Sequence, residues 1–223
     1  MMKLSPEEIR AMRRSYGEIG LAEGDLQPDP LEQFQLWLVE ATANVAIVEA
    51  NAMVLSTVNE GQPSSRTVLL KNISESGFTF FTNYSSQKAL ELAANPKVSL
   101  LFPWYPMERQ VCIQGVAQKV SEQESDNYFA IRPRTSQIGA WASLQSTEIE
   151  SRQELETKFI EFTEKFGADE VLPRPPYWGG YRIIPTSIEF WQGRNSRLHD
   201  RLRFTKVGSV DDLTTWKLRR IQP

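Results

Sequence analysis

The stretch from Ala52 to Val120 constrains the fold more than any other part of this chain. It reads as short strands broken by turn residues, with one short helix and no regular βαβ alternation. Ala52 to Thr57 reads as a strand, Asn59-Glu60-Gly61 as a turn and Ser65 to Lys71 as the next strand. Ser76-Gly77 signals a second turn before a strand from Phe78 to Thr82. Val98 to Phe102 and Arg109 to Val120 read as a hairpin around Pro103-Trp104-Tyr105-Pro106. Gly115 inside so long a strand suggests a curved sheet or barrel wall. After a linker at Pro173 to Gly180, strands return at Tyr181 to Ile184, Ser187 to Trp191, Arg197 to Phe204 and Thr215 to Ile221.

Helices are inserted between these strands. Pro6 to Tyr16 reads as a short helix with a basic end, followed by a loose segment to Pro28. Asp29-Pro30-Leu31-Glu32 is a helix start, with Leu31, Phe34, Leu38 and Val45 marking one face. Ser85 or Ser86 can cap a helix through Leu92 that Asn95-Pro96 ends. Ser121 with Glu124 begins a helix ending near Pro133, a second short helix spans Ser136 to Trp141, and Ser151 to Phe166 is the clearest helix. The expected class is α+β, mainly antiparallel, with a closed sheet. The expected division is a mobile amino-terminal segment over 1–28 and one domain over 29–223.

A net charge of -3 and a pI near 5.4 argue against a general nucleic-acid binder, though not against a local basic pocket. One cysteine, Cys112, permits no intrachain disulfide, and with a single histidine it leaves few metal ligands. No segment looks like a leader or a membrane span, so a cytoplasmic protein is expected.

Four clusters carry the chemistry. Arg66 and Lys71 face opposite ways in an ideal strand, so they serve two different groups, or one points to solvent. Thr82 to Lys88 delivers polar groups and a lysine to a helix start, where free N–H groups can bind phosphate or simply cap. Tyr128, Arg132 and Ser136 are spaced by four and line one side of a helix if it persists across Pro133. In an extended segment Arg197, His199 and Arg201 share a face near Trp191. Each has a plain structural reading as surface charge, cap or core aromatic. Four clusters suited to anions, on a chain of negative net charge, favour a phosphate-bearing ligand.

The runs RTVLLK, FFTNYSSQKA, RQVCIQG, YFAIRPRTSQIGAWASLQS and IEFWQGRNSRLHDR follow one another as in the pyridoxine/pyridoxamine 5'-phosphate oxidases, which the chain closely resembles over almost its whole length. The resemblance implies an FMN-binding split β-barrel, a homodimer with FMN sites at the interface, and a flavoprotein of vitamin B6 metabolism. It implies FMN-dependent oxidation of pyridoxine and pyridoxamine 5'-phosphates to pyridoxal 5'-phosphate. Dioxygen would be the acceptor, with hydrogen peroxide, and ammonia from the amine, as products. Arg66 and Lys88 would contact the FMN phosphate. The backbone through Thr67, Val68, Leu69 and Leu70 would run beside the flavin, as would Phe81 and Thr82. Gln110, Gln145, Ser146, Trp191 and Arg201 would complete the cofactor site, some from the partner chain. Lys71, Tyr128, Arg132 and Ser136 would grip the substrate phosphate. Arg197 and His199 would lie against the pyridine ring as the catalytic pair, and Arg13, Arg14 and Tyr16 would belong to a segment closing over the substrate.

One residue departs from the pattern. Gln87 stands in the cofactor-binding set where the family commonly has arginine. The loss of a bidentate guanidinium–phosphate contact implies weaker FMN retention or compensation by another cation. The competing readings are a related flavoprotein acting on another substrate and a non-catalytic carrier of pyridoxal phosphate.

Overall fold

A computed structural model describes residues 4–12, 15–167, 171–207 and 216–223. Helix α1 (Pro6–Ala11) starts at Ser5, whose side chain and Glu8 form a capping box. Helix α2 (Pro30–Ala43) is capped by Asp29 with Pro30 in its first turn. Then come β1 (Ala52–Asn59), β2 (Gln62–Leu69), β3 (Asn72–Ser74), β4 (Gly77–Asn83), α3 (Gln87–Ala94), β5 (Lys97–Trp104) and β6 (Arg109–Lys119). Helices α4 (Glu122–Ala130), α5 (Arg134–Ala142) and α6 (Arg152–Phe166) precede β7 (Trp178–Gln192), β8 (Asp200–Lys206) and β9 (Trp216–Ile221).

The chain packs as two units, and β5, β6 and β7 contribute residues to both. The first comprises Asn51–Phe102 and the described residues of Ile113–Ser187. Its strands are ordered β2-β1-β5-β6-β7-β4-β3. Strand β1 pairs antiparallel with β2 from Ala52↔Leu69 to Asn59↔Gln62, leaving Glu60-Gly61 as a two-residue turn. Both turn residues have positive φ, 49° and 82°, which fits the twist of a tight hairpin. Along β1 alternate residues Met53, Leu55 and Thr57 are buried, the period of a strand with one face inward. They join a core of Phe78, Phe80, Leu100, Phe102, Ile113 and Ile183. Gly115 is demanded by close approach, since a Cβ there would sit 2.4 Å from the Ile184 carbonyl oxygen.

The second unit comprises the described residues up to Ala50, Pro103–Cys112 and those of Ile188–Pro223. Its core holds Phe34, Trp37, Trp104, Val111, Ile188, Phe190, Leu202 and Phe204, with the Trp37 and Phe190 rings edge-to-face at 5.1 Å. Strand β8 pairs with β7 and, antiparallel, with β9.

Several expectations change. The sheet is not closed: its hydrogen-bonded path ends at β2 and β3. The first helix stops at Ala11, well short of Tyr16. The two strands expected at 181–184 and 187–191 are one continuous β7, which begins at Trp178 inside the expected linker and carries Pro185 within it. Tyr128, Arg132 and Ser136 do not share a helix, because Pro133 forces an extended residue between α4 and α5. Arg197 and His199 are not in a strand. Asn195–Arg197 forms a 3-10 turn, Ser196 and Arg197 have φ of 57° and 61°, and β8 starts only at Asp200. A period of two therefore never applies across Arg197, His199 and Arg201.

Candidate functional site

In the first unit a cavity of about 480 Å³ opens where β2 ends and α3 begins. Thr67, Val68 and Leu69 reach it from β2, Phe81, Thr82 and Asn83 from β4, and Lys88 from the first turn of α3. Tyr128 from α4, Arg132 from the α4–α5 link and Ser136 from α5 complete much of the wall. Lys71 lines it too, just beyond the end of β2, where its N–H donates to the Thr79 carbonyl at 2.8 Å. The lining holds three cations, Lys71, Lys88 and Arg132, and no carboxylate.

Lys88 is buried and Arg132 is half-buried. Lys88 is 8% exposed, and its Nζ donates to two hydroxyls, Thr82 Oγ1 at 3.3 Å and Ser86 Oγ at 3.4 Å. Burial pushes the Lys88 ammonium below its ordinary pKa, and the charge of Arg66 adds to this. Arg132 lies with its guanidinium carbon 4.6 Å from the Trp178 ring centroid, and its buried Nη1 has no hydrogen-bond partner. Burial likewise lowers its pKa. A buried donor without an acceptor is costly unless a ligand supplies one. The Phe81 ring stacks on Tyr128 at 4.0 Å and on Trp178 at 5.4 Å, so an aromatic wall backs the cations.

The other residues of the first unit fall around this cavity in different ways. Gln145 lines it and its Oε1 accepts from Thr82 Oγ1 at 3.2 Å, whereas Ser146 lines a neighbouring hollow. Leu70 is buried, its N–H and C=O tied to Asn51. Arg66 does not line the cavity. Its guanidinium donates to Glu91 Oε2 at 2.8 Å and to Thr57 and Ser64. Gln87 also turns to Glu91, donating to Oε1 at 2.9 Å. The uncharged Gln87 amide is thus one of the donors that satisfy a buried carboxylate.

Burial alone would raise the Glu91 pKa, but hydrogen bonds from Thr57, Ser64, Gln87 and Arg66 hold it at about 2, below its ordinary 4.5. A depressed carboxylate contributes stability above its unfolded pKa and loses it as pH falls through the folded value. Thermal melts against pH should therefore show stability draining between about 4.5 and about 2. In Glu91→Gln that part of the acid limb should flatten, and identical limbs would contradict the network's role.

Trp178 is a cavity residue that the sequence reading did not single out, and Asn83 entered it only as part of the run from Thr82 to Lys88. Asn83 is 4% exposed and its Nδ2 has no hydrogen-bond partner. It carries no charge, and only the folded geometry reveals the orphaned amide. Trp178 sat in an expected linker.

The second unit has its own hollow, of about 570 Å³, lined by Met12, Ser15, Tyr16, Arg197, His199 and the loop between β7 and β8. The Tyr16 ring meets His199 edge-on at 5.3 Å and Trp191 at 5.8 Å. Arg201 donates to the buried Glu189 at 2.8 Å and to the Gln222 carbonyl. Gln110 lies on β6 in this unit. Arg13 and Arg14 lie outside the described residues.

Comparison with known proteins fits these features. Residues 39–166, more than half of the chain, match the family described as pyridoxamine 5'-phosphate oxidase. The chain belongs to the pyridoxamine 5'-phosphate oxidase family. Residues 178–223 also match the pyridoxine 5'-phosphate oxidase C-terminal dimerisation region. Among relatives named pyridoxine/pyridoxamine 5'-phosphate oxidase, one from Cupriavidus taiwanensis is 52% identical, covering 97% of this chain and 99% of its own. One from Ralstonia nicotianae, named pyridoxine/pyridoxamine 5'-phosphate oxidase 1, is 54% identical over 96% of this chain and 99% of its own. The solved structure of PhzG from Burkholderia lata 383, in complex with tetrahydrophenazine-1-carboxylic acid, superposes with a TM-score of 0.84 at 31% identity. It covers 94% of this chain and 100% of its own. A pyridoxamine 5'-phosphate oxidase-related, FMN binding protein from Nostoc punctiforme shares the fold, with a TM-score of 0.68 at 15% identity over 89% of this chain and 100% of its own. The antiparallel sheet with peripheral helices is the fold this chain shares with these two structures.

Proposed function

We propose that this chain oxidises pyridoxine 5'-phosphate and pyridoxamine 5'-phosphate to pyridoxal 5'-phosphate with FMN as cofactor. The observation that carries the reading is the cavity with three cations, no lining carboxylate and an orphaned guanidinium nitrogen. Phosphate esters are the ligands such a wall suits, because each cation gains a charge-assisted acceptor on binding.

The residues present fit FMN. Lys88 has only hydroxyl partners and suits a phosphate, while Val68, Leu69 and Phe81 give an apolar edge for a flat ring. When bound, FMN would supply hydride-accepting chemistry toward the 4' carbon of the substrate, with dioxygen as the final acceptor and hydrogen peroxide as its product. We assign the cofactor to Lys88, Arg66, Gln87, Thr67 to Leu70, Phe81 and Thr82. Gln110, Gln145, Ser146, Trp191 and Arg201 complete the set, some acting from the partner chain. Arg66, which Glu91 holds away from the cavity lining, would reach the cofactor phosphate by turning from that carboxylate.

Lys71, Tyr128, Arg132 and Ser136 hold the substrate phosphate in this reading. That group is remote from the reacting carbon, so its binding energy serves to orient the ring. Arg197, His199 and Tyr16, with Arg13 and Arg14, address the ring end. The match of residues 178–223 to a dimerisation region supports a homodimer with FMN sites at the interface. Among the described residues no helix is long and apolar enough to cross a membrane. The single cysteine supports our proposal of a cytoplasmic setting.

The test is anaerobic mixing of FMN-loaded protein with pyridoxine 5'-phosphate. Loss of the oxidised flavin absorbance, restored with peroxide release when oxygen returns, is the expected result. A flavin spectrum unmoved by either vitamer phosphate would overturn the reading. It would favour chemistry on a ligand without phosphate, such as the carboxylic acid bound by the PhzG relative.

A further inference from the structure

We infer that His199 is held as its Nε2–H tautomer by the Arg194 backbone amide, and so serves as a loop latch and hydrogen-bond donor, not as a proton-accepting base. The donor role rests on the proposed function; the latch does not.

A backbone N–H can only donate. The Arg194 amide lies 3.0 Å from His199 Nδ1, so Nδ1 must present its lone pair. The neutral ring then carries its proton on Nε2. An imidazolium has no lone pair and cannot accept this bond.

The bond closes a strained loop. Ser196 and Arg197 both sit in the left-handed region, at φ 57° and 61°, and neither is glycine. Such backbone persists only where its surroundings over-determine it. Here the loop is pinned by the Arg194 amide on His199 and by the Leu198 N–H on the Asn195 carbonyl at 3.1 Å. The Gly193 N–H on the Glu108 carbonyl at 2.7 Å anchors its near end. The imidazole itself is flanked by Trp191 at 4.7 Å and Tyr16 at 5.3 Å. His199 therefore fixes the loop that carries Arg197.

The same geometry argues against a base. With Nδ1 engaged and Nε2 protonated, no ring lone pair is left to take a proton from an alcohol or amine. Among the described residues no carboxylate is hydrogen-bonded to the imidazole either. The adjacent Asp200 spends its oxygens on the Leu21 N–H at 3.0 Å, on Arg220 at 2.6 Å and on Arg194 at 3.5 Å. What remains is an Nε2–H at a hollow shared with Arg197, which suits an oxygen acceptor on the substrate.

The chain has a single histidine, so a long-range proton–nitrogen NMR spectrum of 15N-labelled protein reports one ring without assignment. On apoprotein and FMN-loaded protein alike, Nδ1 should resonate as a bare nitrogen and Nε2 as a protonated one. The reversed pattern, or two averaged nitrogens in the neutral ring, would overturn the inference. This arm uses the unaltered chain, so it stands whether or not any variant folds.

Two variants separate latch from donor. His199→Asn places an amide oxygen where Nδ1 was and nothing at Nε2. His199→Gln places its amide near Nε2 and leaves Arg194 unpaired. The Asn variant should raise KM about tenfold with kcat within about twofold, and the Gln variant should lower kcat about tenfold, each reflecting one hydrogen bond. Equal losses of kcat in both would support a base. A correct tautomer with no turnover of either vitamer phosphate by unaltered protein would leave the latch standing and remove the functional reading instead.

Discussion

Arg132→Met is expected to raise the KM for pyridoxine 5'-phosphate about 10- to 100-fold, the range for losing one charge-assisted hydrogen-bonded contact. Flavin content should stay unchanged. The guanidinium rests on the Trp178 ring with a buried Nη1 that no protein atom satisfies. Methionine keeps most of the stem's packing and removes only the charge and its donors. Because that charge is partly desolvated with no counter-ion among the described residues, the ligand-free variant should also melt higher than the parent. Steady-state kinetics and thermal melts on the same preparation check both halves. An unchanged KM with an unchanged melting temperature would remove Arg132 from the substrate site.

Arg197→Met is expected to lower kcat about 100-fold, the scale set by losing the orientation of a reacting group, while FMN affinity stays within about twofold. Arg197 is exposed, holds a left-handed backbone conformation and has no hydrogen bond or ion pair among the described residues. A side chain so placed contributes nothing visible to the fold, yet its backbone strain costs about 1–3 kcal/mol. Strain kept at an otherwise idle residue is best explained by the ring it would meet. Stopped-flow reduction of the bound flavin, with a separate FMN titration, measures the two quantities. A turnover equal to that of the parent would refute the assignment.

The hairpin from Ala52 to Leu69 was legible in the sequence because its turn residues have one conformational use. Glu60-Gly61 adopts the positive φ values that an Asn-Glu-Gly turn suggests. The cation clusters were legible as well, since Lys71, Lys88, Tyr128, Arg132 and Ser136 all line one cavity. Other features depend on contacts that no local pattern encodes. Glu91 reads as an ordinary helix-surface residue, but it is buried and paired with Arg66, twenty-five residues earlier. That pairing turns Arg66 away from the cavity lining, and it gives Gln87 a partner that an arginine–phosphate comparison could not suggest. The face assigned to Arg197, His199 and Arg201 failed for a different reason. Two left-handed residues in succession reverse the chain, and neither Ser196 nor Arg197 announces that geometry. Pro133 was the visible clue that the helix carrying Tyr128 must break before Ser136, and a bent link brings Arg132 to the same cavity.

The account requires two phosphate groups to be held by different cations of one cavity. Calorimetric titration of Lys88→Met and Arg132→Met with FMN, and then with pyridoxine 5'-phosphate, tests this most directly. The account predicts a crossed pattern: Lys88→Met weakens FMN about 10- to 100-fold, and Arg132→Met weakens the vitamer phosphate by a similar factor and spares FMN. If both variants weakened the same ligand to the same degree, the cavity would hold a single anion site and the account would be wrong.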